Sequence, residues 1–355
     1  MPVESLPATE LLPILDSFDT IIDARSEAEF ALDSLPGAVN WPTLRNAERH
    51  DIGTLYKQVN PFEARKRGAA IAARNIADHI TREVLDRPRQ WRPLTYCWRG
   101  GQRSGSLSLV LGQIGFRVTL VEGGYKAFRA AIVADTVRRV PDLRFRVVCG
   151  TTGSGKTRLL HALQRQGAQV LDLEGLAVHR SSVLGAVPGQ PQPSQKAFDT
   201  RIWDQLRRLD PARPVYVESE SRKVGNLAVP EVLIHAMRAS ECLTLVLDDA
   251  ERVALLLEDY AYFVEQPQAF CARLDVLAEL KGKAVVGEWK ALVAAGRMAE
   301  VVQQLLTQHY DPVYRQSMAR NFTRFSTASD LRPVDRSPAA MDALARQLLE
   351  PATGR

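Results

Sequence analysis

Two short stretches of the chain concentrate side chains able to do chemistry, and the chemistry differs between them. The first is Cys97-Trp98-Arg99-Gly100-Gly101-Gln102-Arg103-Ser104, directly after the apolar run Leu94-Thr95-Tyr96. A cysteine between a strand end and a helix N-terminus sits where unpaired backbone N–H groups converge. Those dipoles, together with Arg99 and Arg103, favour the thiolate, which is the form that attacks electrophiles. Gly100 and Gly101 carry no Cβ and let the backbone curl around a tetrahedral anion. A lone strand-end cysteine is usually a small buried residue; here the flanking glycines and arginines favour reactivity.

The second stretch, Gly150-Thr151-Thr152-Gly153-Ser154-Gly155-Lys156-Thr157, matches GxxxxGK[ST] in full. It follows the apolar residues Val147-Val148-Cys149 and opens a helical pattern over 158–164. In that setting backbone N–H groups wrap a diphosphate, the lysine reaches terminal oxygens and the hydroxyl meets a magnesium ion. The expected phosphate-binding residues are Gly150, Gly153, Ser154, Gly155, Lys156 and Thr157, with Mg2+ at Thr157. Two strand-end acids compete to position that ion, Glu218 and Asp248, and either could instead be a helix cap. Two further segments, 172–182 and 218–225, crowd charged groups into non-periodic stretches. In an open parallel sheet, ligands bind beyond the carboxyl ends of the strands. Asp172, Glu174, His179, Arg180, Glu218, Glu220 and Arg222 are therefore expected near the phosphate loop, with surface salt-bridging as the alternative.

Elements must exist to hold these loops. At 355 residues the chain is long enough for two cores. Residues 20–23, 94–97 and 118–121 read as short buried strands, and 63–84 and 104–114 as helices. Such alternation implies a parallel sheet covered on both faces. A break at 138–142 leads to a second strand–loop–helix unit, with strands expected at 145–149, 168–171, 215–217 and 243–247. From residue 250 the pattern is helical, with apolar positions at Val253, Leu256 and Leu257, then Val301, Leu305 and Leu306, then Met341, Leu344 and Leu348. Residues 185–194, rich in Pro, Gly and Gln, read as a functional or mobile loop. The expected architecture is α/β: a parallel-sheet domain over 1–138, then a phosphate-loop α/β domain over 139–355 with a helical C-terminal part.

Hydrophobic residues make up 45% and charged residues 25%, as in folded globular proteins. No run of about 18 apolar residues exists and the N-terminus lacks a signal-peptide pattern, so a cytoplasmic protein without membrane contact is expected. Four cysteines without CxxC spacing read as free thiols. The net charge of +5 is carried by 37 arginines against 9 lysines. Arginine suits bidentate phosphate contacts, and clusters occur at 65–67, 138–146 and 315–324. They are expected as RNA phosphate contacts or as solvated faces. A monomer is the favoured state.

Four motifs around Cys97 resemble the rhodanese family of sulfurtransferases: Ile21-Ile22-Asp23-Ala24-Arg25, Leu35-Pro36-Gly37-Ala38-Val39-Asn40, the Cys97 loop, and Gly115-Phe116 followed by Val121-Glu122-Gly123-Gly124-Tyr125-Lys126-Ala127-Phe128. Phe128 stands where that pattern usually has Trp. The resemblance implies a rhodanese-like N-terminal domain in which Cys97 carries a chalcogen and Arg99, Gly100, Gly101 and Arg103 cradle an anion. With the phosphate loop downstream, and the segments 172–180 and 217–225, nearly the whole chain resembles the tRNA 2-selenouridine synthase family. That resemblance implies tRNA as partner, with S-geranylation of wobble 2-thiouridine by geranyl diphosphate. Replacement by selenium from selenophosphate through a Cys97 selenosulfide would follow. The alternatives are a rhodanese-type sulfurtransferase coupled to an NTPase domain that binds ATP, and a non-catalytic redox- and nucleotide-sensing regulator.

Overall fold

The computed structural model describes residues 3–182 and 185–350; the final residues of the expected second domain, 351–355, lie outside it. The chain forms two compact units, Met1–Arg138 with Pro193–Asp204, and Arg139–Gln192 with Gln205–Arg355.

The first unit is built on five parallel strands: β1 (Glu4–Pro7), β2 (Thr20–Asp23), β3 (Ala38–Asn40), β4 (Pro93–Tyr96) and β5 (Thr119–Glu122). Their order is β1-β5-β4-β2-β3. The pleat sends Ile21 and Ile22 to opposite faces, and each joins its own cluster. One holds Leu15, Leu94, Tyr96 and Phe128; the other holds Trp41, Trp91, Leu107 and Leu111. Both faces are therefore covered, as parallel strands require. The helices are α1 (Ala8–Leu11), α2 (Glu27–Leu32), α3 (Asn46–Gln58), α4 (Pro61–Glu83), α5 (Gln102–Ile114) and α6 (Gly124–Arg139). Ser26 and Glu29 close a capping box at the start of α2. Asn60 accepts hydrogen bonds from the amides of Phe62 and Glu63, and with Pro61 it starts α4. Within the Asp23-Ala24-Arg25 motif, Arg25 is buried against Asp23 at 2.6 Å and lies 3.9 Å from the centre of the Tyr125 ring. That motif is structural.

The second unit carries β6 (Arg144–Cys149), β7 (Gln169–Leu171), β8 (Pro214–Glu218), a small antiparallel ribbon of β9 (Lys223–Val224) and β10 (Leu227–Ala228), β11 (Glu241–Leu245) and β12 (Ser329–Leu331). The main sheet is parallel, in the order β12-β11-β6-β8-β7. Helices α7 (Lys156–Arg165), α8 (Leu173–Ala177), α9 (Gln195–Leu206), α10 (Glu231–Ala239) and α11 (Asp249–Asp259) follow in chain order. Leu159, Leu160 and Leu163 of α7 share a cluster with Met341, Leu344 and Ala345 of the last helix, Pro338–Leu349. The helical region after residue 250 is interrupted by β12, a three-residue strand with no apolar alternation that completes the edge beside β11.

Residues 193–204 fold with the first unit, although the sequence reading assigned them to the second domain. Trp203 of α9 is fully buried, meets Phe128 edge-on at 5.5 Å and donates its indole N–H to Asp135 at 2.8 Å. Thr200 donates to Asp33 at 3.0 Å, and Arg129 donates to Asp199 at 2.8 Å. Their partners lie about 70 residues or more upstream, so no local pattern marks them. Among the described residues, no helix is long and apolar enough to cross a membrane.

Candidate active sites: two anion-binding loops

Cys97 lies at the end of β4, and α5 begins at Gln102. Among the described residues, no backbone N–H from 99 to 104 donates to a protein acceptor. The loop is held from behind by the start of α6, where Tyr125 N–H donates to the Cys97 carbonyl at 2.8 Å and Lys126 N–H to that of Trp98 at 3.1 Å. Gly124, at φ +58°, has no room for a Cβ, which would overlap the Cys97 carbonyl and the Gly100 nitrogen. Gly100, at φ +66°, would place a Cβ 2.8 Å from the Val121 carbonyl. Both glycines are required by close approach.

Within this ring Cys97 is recessed, with 3% of its surface exposed. The Ser104 hydroxyl donates to its sulfur at 3.1 Å, a contact sequence reasoning missed despite Ser104 closing the same motif. Arg99 is exposed and, among the described residues, forms no ion pair. Arg103 differs from the expectation of a free cradle charge: its Nη1 lies 2.6 Å from Glu29, which Arg49 also reaches at 3.0 Å. Burial pushes the Glu29 carboxyl up, but the hydrogen bond and charge of Arg103 outweigh it and hold the group below its ordinary value.

The loop between β6 and α7 uses left-handed glycines at Gly153 and Gly155, with φ +78° and +89°. Added Cβ atoms there would come within 3.0 Å of Leu256 and 2.8 Å of Met341. The amides of Gly153, Gly155, Lys156 and Thr157 donate to no protein acceptor among the described residues. Tyr314 accepts from the Gly150 amide at 2.7 Å, and the Thr152 carbonyl accepts from Arg252 at 2.9 and 3.1 Å. Arg252 is itself buried against Asp311 at 2.6 Å. Lys156 Nζ donates to the Gly150 carbonyl at 2.7 Å.

Three of the expected acids gather beside this loop. Thr157 donates to Glu174 at 3.2 Å, and Glu218 accepts from the Glu174 amide at 2.8 Å. Glu220 accepts from Ser181 at 2.6 Å. Burial pushes all three carboxyls up; Asp172 adds to it at Glu174 and Glu218, Glu174 adds to it at Glu218 and Glu220, and Glu220 at Glu218, while Lys156 opposes it at Glu174 and Glu220. The second oxygen of Glu218 and the Ser154 hydroxyl are buried without a partner. These oxygens suit a hard divalent cation such as Mg2+. No group of three or more His, Cys, Asp or Glu among the described residues is arranged to hold a metal alone. Thr157 and Glu174 would therefore supply part of a shell that diphosphate oxygens and water complete.

The remaining expected residues divide. Asp172 caps α8 by accepting from Gly175 at 2.7 Å, and contacts His161 at 3.1 Å. Burial and then the charge of Arg273 push the His179 imidazole below its ordinary value, and its Nδ1 is buried without a partner among the described residues. Arg180 donates to the Asp259 carbonyl and lies 4.7 Å from the centre of the Tyr260 ring. Arg222 is exposed and, among the described residues, forms no ion pair. Asp248, the other strand-end acid, is an exposed residue preceding α11. Cys149, beside the loop, is buried, and its hydrogen bond with Cys242 pushes its thiol far up, so it is inert.

One feature of the second unit has no sequence signature. A narrow cleft, partly open to solvent, is lined by Thr152, Leu256, Tyr260, Phe263, Phe270 and Leu305, among others. Its walls are almost wholly apolar, and Thr152 belongs to the phosphate loop as well.

A rhodanese-like sheet with a cysteine loop, joined in one chain to a phosphate-loop α/β unit, defines the class of protein. A rhodanese-like domain profile matches residues 7–131, and the profile of the tRNA 2-selenouridine synthase AAA domain matches residues 143–286. The chain is 33% identical to a tRNA 2-selenouridine synthase of Cupriavidus necator, over 83% of this chain and 87% of that one. It is 32% identical to one of Shewanella loihica, over 85% and 81%. With one of Nitrosomonas europaea it shares 38% over 68% of this chain, a match spanning 63% of that relative. A rhodanese-related protein of Thermoplasma volcanium is 18% identical over 35% of this chain and 89% of that one, with a TM-score of 0.24. The chain belongs to the tRNA 2-selenouridine synthase family.

Proposed function

We propose that this chain converts 2-thiouridine at the wobble position of tRNA to 2-selenouridine in two displacements, one at each loop. In the first, the thiocarbonyl sulfur attacks C1 of geranyl diphosphate. A C–S bond forms, the C–O bond to diphosphate breaks, and N3 of the base loses its proton. The loop amides, Lys156 and a cation at Thr157 and Glu174 would stabilise the departing diphosphate. The observation that carries this reading is the apolar cleft that shares Thr152 with the phosphate loop. A ten-carbon isoprenoid suits such walls, whereas a nucleotide base calls for polar partners along its edge. This favours a prenyl diphosphate over ATP.

In the second displacement, selenium replaces the geranylthio group at C2. S-alkylation makes that sulfur a good leaving group. A selenosulfide formed by attack of Cys97 on selenium would expel phosphorus at the phosphite level, so phosphate as product would require an oxidant that the reaction lacks. Attack of the Cys97 thiolate on phosphorus balances. The S–P bond forms, the P–Se bond breaks, and hydrogen selenide displaces geranylthiol at C2. Water then cleaves the S–P bond, giving phosphate and the free thiolate. The unpaired amides of 99–104 and the exposed Arg99 are what a phosphoryl group needs around it.

Nucleoside mass spectrometry of thiolated tRNA incubated with protein, geranyl diphosphate and selenophosphate should show S-geranyl and then seleno nucleosides. The exposed cleft residue Val264 provides the decisive variant. Val264→Asp should weaken geranyl diphosphate about tenfold, from lost apolar burial of 1.5 kcal/mol or so, and leave pyrophosphate unchanged. Equal loss for both ligands, or tRNA-stimulated ATP hydrolysis without geranyl diphosphate binding, would end this reading. On Cys97, a trapped adduct of phosphoryl mass, without the selenium isotope envelope and resistant to thiol reductants, is expected; a selenium envelope removed by thiols would restore the selenosulfide.

A further inference from the structure

The first unit has a cleft that neither displacement has used. It lies between α3, α4 and the first two turns of α5, lined by Leu44, Ile52, Tyr56, Arg65, Gly68, Ala69, Ala72, Gln102, Arg103 and Ser106. It encloses about 1180 Å³ of empty space, part of it open to solvent. Gln102 and Arg103, which lead from the Cys97 loop into α5, line the cleft, so it borders the segment that carries the nucleophile.

The hairpin of α3 and α4 is chemically unlike the rest of its unit. Residues 45–83 hold eight Lys or Arg against five Asp or Glu, whereas the remainder of 1–138 holds ten against eleven. Lys57, Arg65, Arg67 and Arg74 are exposed and, among the described residues, form no ion pairs. Tyr56, Val59 and Phe62 are 49%, 72% and 64% exposed. Exposed aromatic rings interleaved with unpaired cations suit single-stranded nucleic acid, whose bases stack on the rings while phosphates meet the charges.

We propose that this cleft receives the target nucleotide for the selenium step: a pyrimidine turned out of an RNA loop, stacked at Tyr56, with Arg65 on its phosphate. The apolar wall of Leu44, Ile52 and the small residues of α4 accommodates the S-alkyl group that leaves. This rests on the reading above for the identity of the reaction, but the binding claim stands apart from it.

Two measurements test it. A short hairpin RNA with 4-thiouridine at the target position, irradiated with the full-length protein, should crosslink within 44–72. Crosslinks confined to other segments would overturn the proposal whether or not the protein selenates anything. The exposed variants Arg65→Glu and Ala69→Trp should lower selenation of a pre-geranylated RNA at least tenfold. Geranylation of thiolated RNA and adduct formation on Cys97 from selenophosphate should stay within twofold. Unchanged selenation in both variants, or an equal fall in geranylation, would overturn it. If the wild-type protein crosslinks in the hairpin but yields no selenated RNA, the site stands and the reaction assignment fails.

Discussion

The Cys97 loop and the Gly150 loop solve the same backbone problem and differ in what stands at the centre. Each joins a buried parallel strand to a helix N-terminus and leaves a run of amides without acceptors. Around Cys97 the ring is closed from behind by Gly124 and Tyr125, and its centre is a recessed sulfur. Around Lys156 the ring faces the buried carboxyls of Glu218 and Glu220 and the half-buried one of Glu174, and opens on an apolar cleft. On the proposed reading, one forms a bond to its ligand and the other lets a leaving group depart. An amide ring fixes only that an anion binds, and the side chain at its centre decides the fate of that anion.

Replacing each centre breaks the comparison most severely. Cys97→Ala should reduce selenation of pre-geranylated RNA at least about a thousandfold, as loss of a nucleophile does, with geranylation of thiolated RNA unchanged. Lys156→Ala should do the converse, lowering geranylation on the order of a hundredfold with selenation intact, both read by nucleoside mass spectrometry. If either variant impaired both steps equally, the two loops would not be separate sites.

Smaller effects sharpen the contrast in charge. Arg99 is unpaired and Arg103 is held by Glu29. Arg99→Ala should therefore weaken selenophosphate about tenfold, the worth of one charged hydrogen bond, whereas Glu29→Gln should tighten it by freeing Arg103; calorimetry on both reads this directly.

The smallest effect is on pH. Glu174, Glu218 and Glu220 are raised above their ordinary values, so they are protonated in the folded state at pH values where free carboxyls would be ionised. Their contribution to stability is present at low pH and lost as pH rises through the elevated range. Pyrophosphate binding without Mg2+ should weaken over the same range, as the carboxyls become anionic beside the anion. Added Mg2+ or the Glu220→Gln change should flatten the profile, and a profile indifferent to both would remove the acids from the site.

How much was legible depended on separation along the chain. The cysteine loop, the GxxxxGKT loop and their flanking strands were readable because each is complete within about a dozen residues. Glu218 was readable as one of two strand-end acids, but its choice over Asp248 was not. β8 and β11 both flank β6, and what separates the two acids is that Glu218 is buried and accepts from the Glu174 amide whereas Asp248 is exposed. The ion pair that holds Arg103 was not readable because its partner, Glu29, is 74 residues away. The hairpin of α3 and α4 was half seen, since α3 is amphipathic only against α4.

The sequence by itself determined which backbone turns occur and which atoms could react, because glycine placement, strand runs and helix starts act through near neighbours. Tertiary structure alone decided that Tyr314 and Arg252 brace the phosphate loop, that Trp203 completes the first unit, and that apolar side chains from 256 to 310 enclose a cleft beside Thr152. The physical reason is that buried area and dielectric are collective: they depend on everything packed around a group, and no window of sequence contains that.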